Sequence, residues 1–282
     1  MARPLRVEHK DAVYYVTSKG NAGNPICRDD EDRELFLETV GFVVNRYKWK
    51  CHAYAILESK YSLVIETPKP NLSVGMRQLN GIYTQKFNRK HGLAGHVFQG
   101  RFKAVILERE NFLLDICRLV VLQPAISGAT KNYATYKWSS YKPTAGLSHA
   151  PKFLDTDWIL SQFAKRPKNA QKKYVEYVKQ GKKSENPLDD VRGQIFLGSD
   201  DFMQKLMPQL SRGKSKRQLP KWQRNLDRPP IEEVFKNIEN KSVKQRNLRI
   251  KRANEKYGFT LKQIGDHLGL HYTSVSRIIN SI

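Results

Sequence analysis

The chain has 282 residues, enough for one large domain or two small ones, and carries 50 Lys+Arg against 27 Asp+Glu for a formal net charge of +23. The excess sits in both halves, with 22 basic and 13 acidic residues over 1–150 and 28 and 14 over 151–282, and such a field attracts polyanions, nucleic acid first. Three widely spaced cysteines without a CxxC pair argue against a zinc site or a disulfide framework, and the lack of an apolar leader or of any run of 18 apolar residues predicts a cytoplasmic protein with no membrane span.

Ala12 to Ser18 (AVYYVTS) is rich in β-branched and aromatic residues and predicts a strand. Asp29, Asp30 and Asp32 open a helix to about Tyr47, where acidic residues suit the positive end of the helix dipole. Trp49–Leu57 and Tyr61–Thr67 predict two more strands, the second ended by Pro68 and Pro70. Asn71 or Ser73 caps a helix to about Asn88. Phe102–Leu107 is a fourth strand, and a helix from Asn111 to Leu122 is stopped by Gln123-Pro124. This order predicts an α+β sandwich of the split βαβ kind, with helices on one face of an antiparallel sheet, over residues 1–146.

Residues 147–228 read as a helical and basic linker region. Lys165–Lys173 and Lys182–Asn186 are polar and basic, and Trp158–Phe163 and Phe202–Leu210 are short amphipathic helices. Ser211–Arg228 holds seven basic residues and one acid and reads as a basic arm that cannot bury a core. In the third part, residues 229–282, Thr260 caps a helix carrying Leu261, Ile264 and Leu268, Gly269 breaks it, and Thr273 caps a second helix carrying Val275, Ile278 and Ile279. Two short helices around a glycine turn predict a helix-turn-helix, with the start of the second helix at the base edges: His271, Tyr272, Thr273, Ser274, Ser276 and Arg277. The stretch resembles the C-terminal helix-turn-helix of the replication initiator DnaA. The basic run Lys241–Lys256 just before it predicts a helix that lends phosphate contacts.

The blocks YYVTSKGN (Tyr14–Asn21), RDDEDRELFLE (Arg28–Glu38), ETPKPNLSVGMRQLNGIYTQKFNRKHG (Glu66–Gly92), GHVFQGRFKAVILER (Gly95–Arg109) and YKWSSY (Tyr136–Tyr141), met in this order, resemble the REP-associated tyrosine transposases, single-tyrosine members of the HUH class. The resemblance covers residues 1–146 and, more loosely, Leu197–Leu206 and the C-terminal helices. It implies a ferredoxin-like sandwich that binds folded single-stranded DNA hairpins. It also implies cleavage by a tyrosine hydroxyl beside a divalent metal held by a His-x-His strand pair.

The chain departs from that pattern at the chemistry itself. Lys60 and Ser62 match the histidine pair, Leu119 matches the nucleophilic tyrosine, and none of the seven histidines forms His-x-His. The expectation is a DNA-binding protein derived from such a transposase, acting as a regulator or DNA-recognition subunit, with no catalytic residue, metal or cofactor. The alternative is an active transposase nicking hairpin DNA, with His52, Glu58 and Glu66 as ligands for Mg²⁺ or Mn²⁺ and Tyr83 as the nucleophile; an RNA-binding protein on the same sandwich is a third. The expected partner is structured single-stranded or duplex DNA, with room for a homodimer and none for a membrane. The expected DNA-facing residues of the first domain are Arg77, Tyr83, Lys86, Arg89 and Lys90 on the second helix, then Arg101 and Lys103, since basic groups neutralise phosphates and aromatics stack on unpaired bases.

Overall fold

In β1 (Ala12–Lys19) both Val13 and Tyr15 and, between them, Tyr14 and Val16 are buried. A strand buried on both faces requires a layer on each side of its sheet, and the computed structural model, which describes residues 6–181, 185–211, 229–239, 242–255 and 257–281, has both. After β1 come α1 (Asp30–Tyr47), β2 (Lys50–Ile56), β3 (Lys60–Thr67), α2 (Leu72–His91), β4 (Lys103–Leu107) and α3 (Arg109–Ile126). The sheet order begins β2-β3-β1-β4, with β3 between β1 and β2 and antiparallel to both, which is a split βαβ arrangement. The last strand, β5 (Phe196–Leu197), pairs parallel to β4. The molecule is therefore mixed α+β.

One face of the sheet carries Tyr14, Val16, Tyr61, Leu63 and Ile65 under α1 and α2. There the Phe36 ring lies 4.7 Å from that of Tyr61 and 5.0 Å from that of Tyr83, and the Tyr61 hydroxyl donates to Asn80 at 2.7 Å. Each such aromatic pair adds about 0.5–1.5 kcal/mol beyond the area it buries. The other face carries Val13, Tyr15, Ala53, Ala55, Val64 and Leu107, covered by Leu113, Ile116, Cys117 and Val120 of α3. The helices expected on one face thus lie on both.

Two boundaries differ from the expected ones for the same reason. Helix α3 starts at Arg109 and runs through Pro124 to Ile126. Proline removes a single hydrogen bond near the helix end, where the loss costs least. Gln123 meanwhile bonds to the sheet and holds that last turn in place. The segment beyond residue 146 is packed rather than a linker: after α4 (Tyr141–Thr144) and α5 (Asp157–Ser161), α6 (Pro167–Gln180) buries Ala170, Tyr174 and Val178, the last two in the α3-side core. Arg6–Met203 accordingly forms one compact unit, and the boundary to the second falls inside α7 (Asp200–Ser211). Apart from Ser211, the basic arm expected over Ser211–Arg228 lies outside the described residues.

The second unit contains α8 (Ile231–Val234), α9 (Val243–Glu255), α10 (Leu261–Leu268) and α11 (Tyr272–Asn280) around Phe235, Ile250, Ala253, Phe259, Ile264 and Val275. Helix α10 opens on a capping box: Gln263 N donates to Thr260 Oγ1 at 3.1 Å, and Thr260 N donates to Gln263 Oε1 at 3.0 Å. It closes on Gly269 at φ 65°, a left-handed conformation that costs glycine least. Helix α11 begins at Tyr272 with His271 as its N-cap, so Thr273 is inside the first turn rather than the cap. No helix among the described residues is long and apolar enough to cross a membrane.

Candidate nucleic-acid interface

Helix α2 presents Arg77, Gln85, Lys86 and Arg89 to solvent, while Met76, Leu79, Tyr83 and Phe87 face the core. Of the expected DNA-facing residues on this helix, Tyr83 is not at the surface and Lys90 is engaged in ion pairs. Tyr83 is fully buried; its hydroxyl donates to the Ile26 carbonyl and lies 3.4 Å from Cys27 Sγ. Burial, with the Cys27 thiol next, raises its pKa far above the ordinary phenol value, and the enclosed ring has no face open for stacking on a base. Lys90 is held by three carboxylates, 2.8 Å from Asp29 Oδ1, 2.9 Å from Glu31 Oε2 and 3.1 Å from Asp32 Oδ1.

The Lys90 cluster ties two helix ends together. Asp29 caps α1 by accepting from Asp32 N at 2.8 Å, Asp32 accepts from Arg28 N at 2.7 Å, and His91 Nε2 lies 2.9 Å from both Asp32 oxygens. Acidic groups at the start of α1 meet basic groups at the end of α2, where each complements its own helix dipole. Asp29, Asp32 and His91 form the one group of three or more metal-type ligands found among the described residues. The Lys90 ammonium already supplies the cation there.

The sheet face under α3 holds the positions where the family resemblance expects its metal pair. Ser62 is fully buried, its hydroxyl donating to Gln123 Oε1 at 2.7 Å, and Gln123 Nε2 donates to the Tyr15 hydroxyl at 2.8 Å. Lys60 is half-buried on the same face. A committed hydroxyl and an ammonium do not fit a divalent cation. Leu119 packs on the α3-side core and lines a surface groove with Asp115, Arg118, Leu122, Ile126 and Pro187. It offers no group that attacks phosphorus.

The substitute ligands do not form a metal site either. His52 Nε2 is 2.9 Å from Glu66 Oε2, Arg109 Nη1 is 3.2 Å from the same oxygen, and Lys50 Nζ is 3.3 Å from the other. Glu58 is exposed in the β2–β3 turn. Burial by itself would raise the Glu66 carboxyl, but the His52 bond and the Arg109 and Lys50 charges override it and hold it down at about 2. Because the folded value lies below the ordinary one, the stabilisation is complete above about pH 4.5 and is lost as the pH falls towards 2. Chemical unfolding at pH 5 and pH 2.5 should show a loss of about 2–3 kcal/mol from this group, and Glu66→Gln should remove that part of the difference. Equal pH dependence in the two proteins would contradict the assignment.

The remaining expected residues separate into distinct surfaces. Arg101 and Lys103 are exposed, but Lys103 alternates with Val105 and Leu107 towards the α3 side of the sheet, away from the α2 stripe. In the second unit His271, Tyr272, Thr273, Ser274 and Arg277 are exposed at the start of α11, and Ser276 is half-buried. His271 Nδ1 and Thr273 Oγ1 are 2.8 Å apart, fixing that first turn. Gly265 was not anticipated from sequence: a Cβ there would stand 2.4 Å from the Leu270 carbonyl oxygen, so this glycine lets the turn close on α10. In the basic helix α9, Arg249 is spent on the Lys236 carbonyl at 2.7 Å, while Lys244 and Arg252 are exposed.

No family model matches the chain, and no curated protein matches it. Among solved structures the chain is similar to one of a REP-associated tyrosine transposase bound to a REP hairpin, with 14% sequence identity and a TM-score of 0.42 over 56% of this chain and 93% of that one.

Proposed function

We propose that this protein binds DNA and does not cut it, acting as a regulator or as the recognition subunit of a larger assembly. The observation that carries the reading is the helix pair α10–α11, closed by Gly269, which presents His271, Tyr272, Thr273, Ser274 and Arg277 at an exposed helix start. A helix-turn-helix enters the major groove with the start of its second helix, and these exposed residues support that reading. The unit around it holds ten basic and five acidic residues over 229–282, which suits the flanking phosphates. The first unit reads as a ferredoxin-like DNA-binding domain, on its sequence resemblance and the split βαβ sheet. Lys60, Ser62 and Leu119 support the loss of cutting: an ammonium and a buried hydroxyl bonded to Gln123 replace the two imidazoles, and the leucine side chain carries no nucleophile.

The test mixes the full-length protein with labelled hairpin DNA, duplex DNA and hairpin RNA in Mn²⁺ at moderate salt. A native gel should show shifted DNA, and a denaturing gel should show no labelled band at the protein's size. Binding to neither DNA form would refute the reading. A covalent band would refute the inactivity, and tighter binding to RNA than to the matching DNA would move the reading to RNA.

A further inference from the structure

The α3 side of the sheet ends in an arrangement of charge that folding alone does not favour. Along that face β3 presents Lys60, Ser62, Val64 and Glu66, β1 presents Lys19, Thr17, Tyr15 and Val13, and β4 presents Lys103, Val105 and Leu107. Lys19 and Lys60 are directly opposed across the β1–β3 pair. Thr17 pairs with both Ser62 and Lys103, which sets Lys103 diagonal to Lys19. Directly opposed side chains leave the backbone about 5 Å apart and diagonal ones about 7–8 Å, while Lys60 and Lys103 flank β1 from its two sides, so the three long stems border one patch over Thr17 and Lys19. Like charges placed directly opposite destabilise a sheet. The effect on Lys60 is visible: partial burial first, then the Lys19 charge, lowers its pKa.

No ion pair or hydrogen bond joins Lys19, Lys60 or Lys103 to a carboxylate among the described residues. The acid on the same face of β3, Glu66, lies six residues away, roughly 20 Å along the strand, and is already held by Lys50 and Arg109. The floor beside the lysines is the Tyr15–Ser62–Gln123 network, which is polar and hydrogen-bonded but uncharged.

We infer that Lys19, Lys60 and Lys103 form a metal-free cradle for a phosphodiester phosphate, placed at the end of the sheet on the face away from α2. Lysine acts as a compact point charge on phosphate, and three of them around one position suit a tetrahedral anion better than a planar carboxylate, which favours the arginine fork. The polymer that brings the phosphate rests on the DNA reading above; the anion site itself does not. A strand bound there would run over the sheet end and leave the α2 stripe for a separate contact.

The experiment compares the full chain with the triple variant Lys19→Gln, Lys60→Gln, Lys103→Gln, measuring hairpin-DNA affinity against salt and thermal stability with and without inorganic phosphate. Removing opposed like charges should leave the variant at least as stable as the parent without anion, so weaker binding is not unfolding. Affinity for the hairpin DNA should fall roughly 100-fold near 0.1 M salt, and the slope of log affinity against log salt should become shallower by about 1. Phosphate should stabilise the parent and not the variant. DNA binding unchanged in affinity and slope would overturn the site and leave the DNA reading standing. If the parent binds no DNA, that reading falls, and phosphate decides the site: stabilisation of the parent alone upholds it, and none overturns it.

Discussion

Asp32→Ala should lower the stability of the first unit by about 3 kcal/mol, a drop of roughly 6–12 °C in Tm for a unit of this size. Asp32 is fully buried and accepts from the Arg28 amide while meeting His91 and Lys90. Alanine leaves the Arg28 N–H without an acceptor and His91 without its carboxylate, and it removes one of the three carboxylates that hold Lys90, which is the costly way to break such a cluster. Asp32→Asn keeps an acceptor for the Arg28 amide and removes only the charge, so it should cost about half as much. A double-mutant cycle with His91→Ala should show a coupling of about 1 kcal/mol or more, since the two groups are in direct contact. Differential scanning calorimetry checks all four proteins; an Asp32→Ala loss under 1 kcal/mol would mean that the two helix ends are not held by this residue. Opposition between desolvation, which would raise the Asp32 carboxyl, and the Arg28, His91 and Lys90 contacts ends with its pKa lowered. Part of the difference between parent and Asp32→Ala should therefore vanish in acid, because a depressed carboxylate stabilises only while it stays ionised.

Gly265→Val should melt the second unit while leaving the first folded. A Cβ at this position stands 2.4 Å from the Leu270 carbonyl oxygen, and that atom is backbone, with no rotamer to move it away. The two further methyl groups of valine worsen the overlap. The cost of about 3 kcal/mol or more is comparable to the whole stability of a helical unit with so small a core. The expected signature is a separate early unfolding transition, with protection from hydrogen exchange lost over α9–α11 and kept over the sheet. On the proposed function, duplex affinity should fall towards the non-specific level, by roughly 1,000-fold, while hairpin binding by the first unit persists. A variant that retains protection over α10 and α11 would show that the turn tolerates a side chain. One that loses the helices yet binds its duplex unchanged would take the helix-turn-helix out of DNA recognition.

Whatever depends on nearest neighbours is legible in the order of the residues. Patterning placed four strands and three helices of the first unit in the right order because alternation and helical spacing are local properties of AVYYVTS, YSLVIET and the Leu35–Val44 stretch. The Thr260 cap and the glycine stop at Gly269 are legible for the same reason, while the partner role of Gln263 in the capping box is not among the sequence readings. The absence of His-x-His was also plain, since it needs only the identity of Lys60 and Ser62. The tertiary structure decided which side of the sheet each element covers and which polar groups find each other. Tyr83 and Lys90 look like surface residues in a basic helix, yet one is enclosed by Phe36 and Phe87 and the other by carboxylates from α1, more than fifty residues earlier. Lys165–Lys173 reads as a solvated run, but Ala170, Tyr174 and Val178 put one side of α6 in the core, a pattern diluted by the lysines between them. Gly265 carries a weak signal as a glycine inside a helical pattern, and only the position of the Leu270 carbonyl explains it. The opposition of Lys19 and Lys60 is the clearest case: forty residues separate them in the chain, and strand register alone sets their charges side by side.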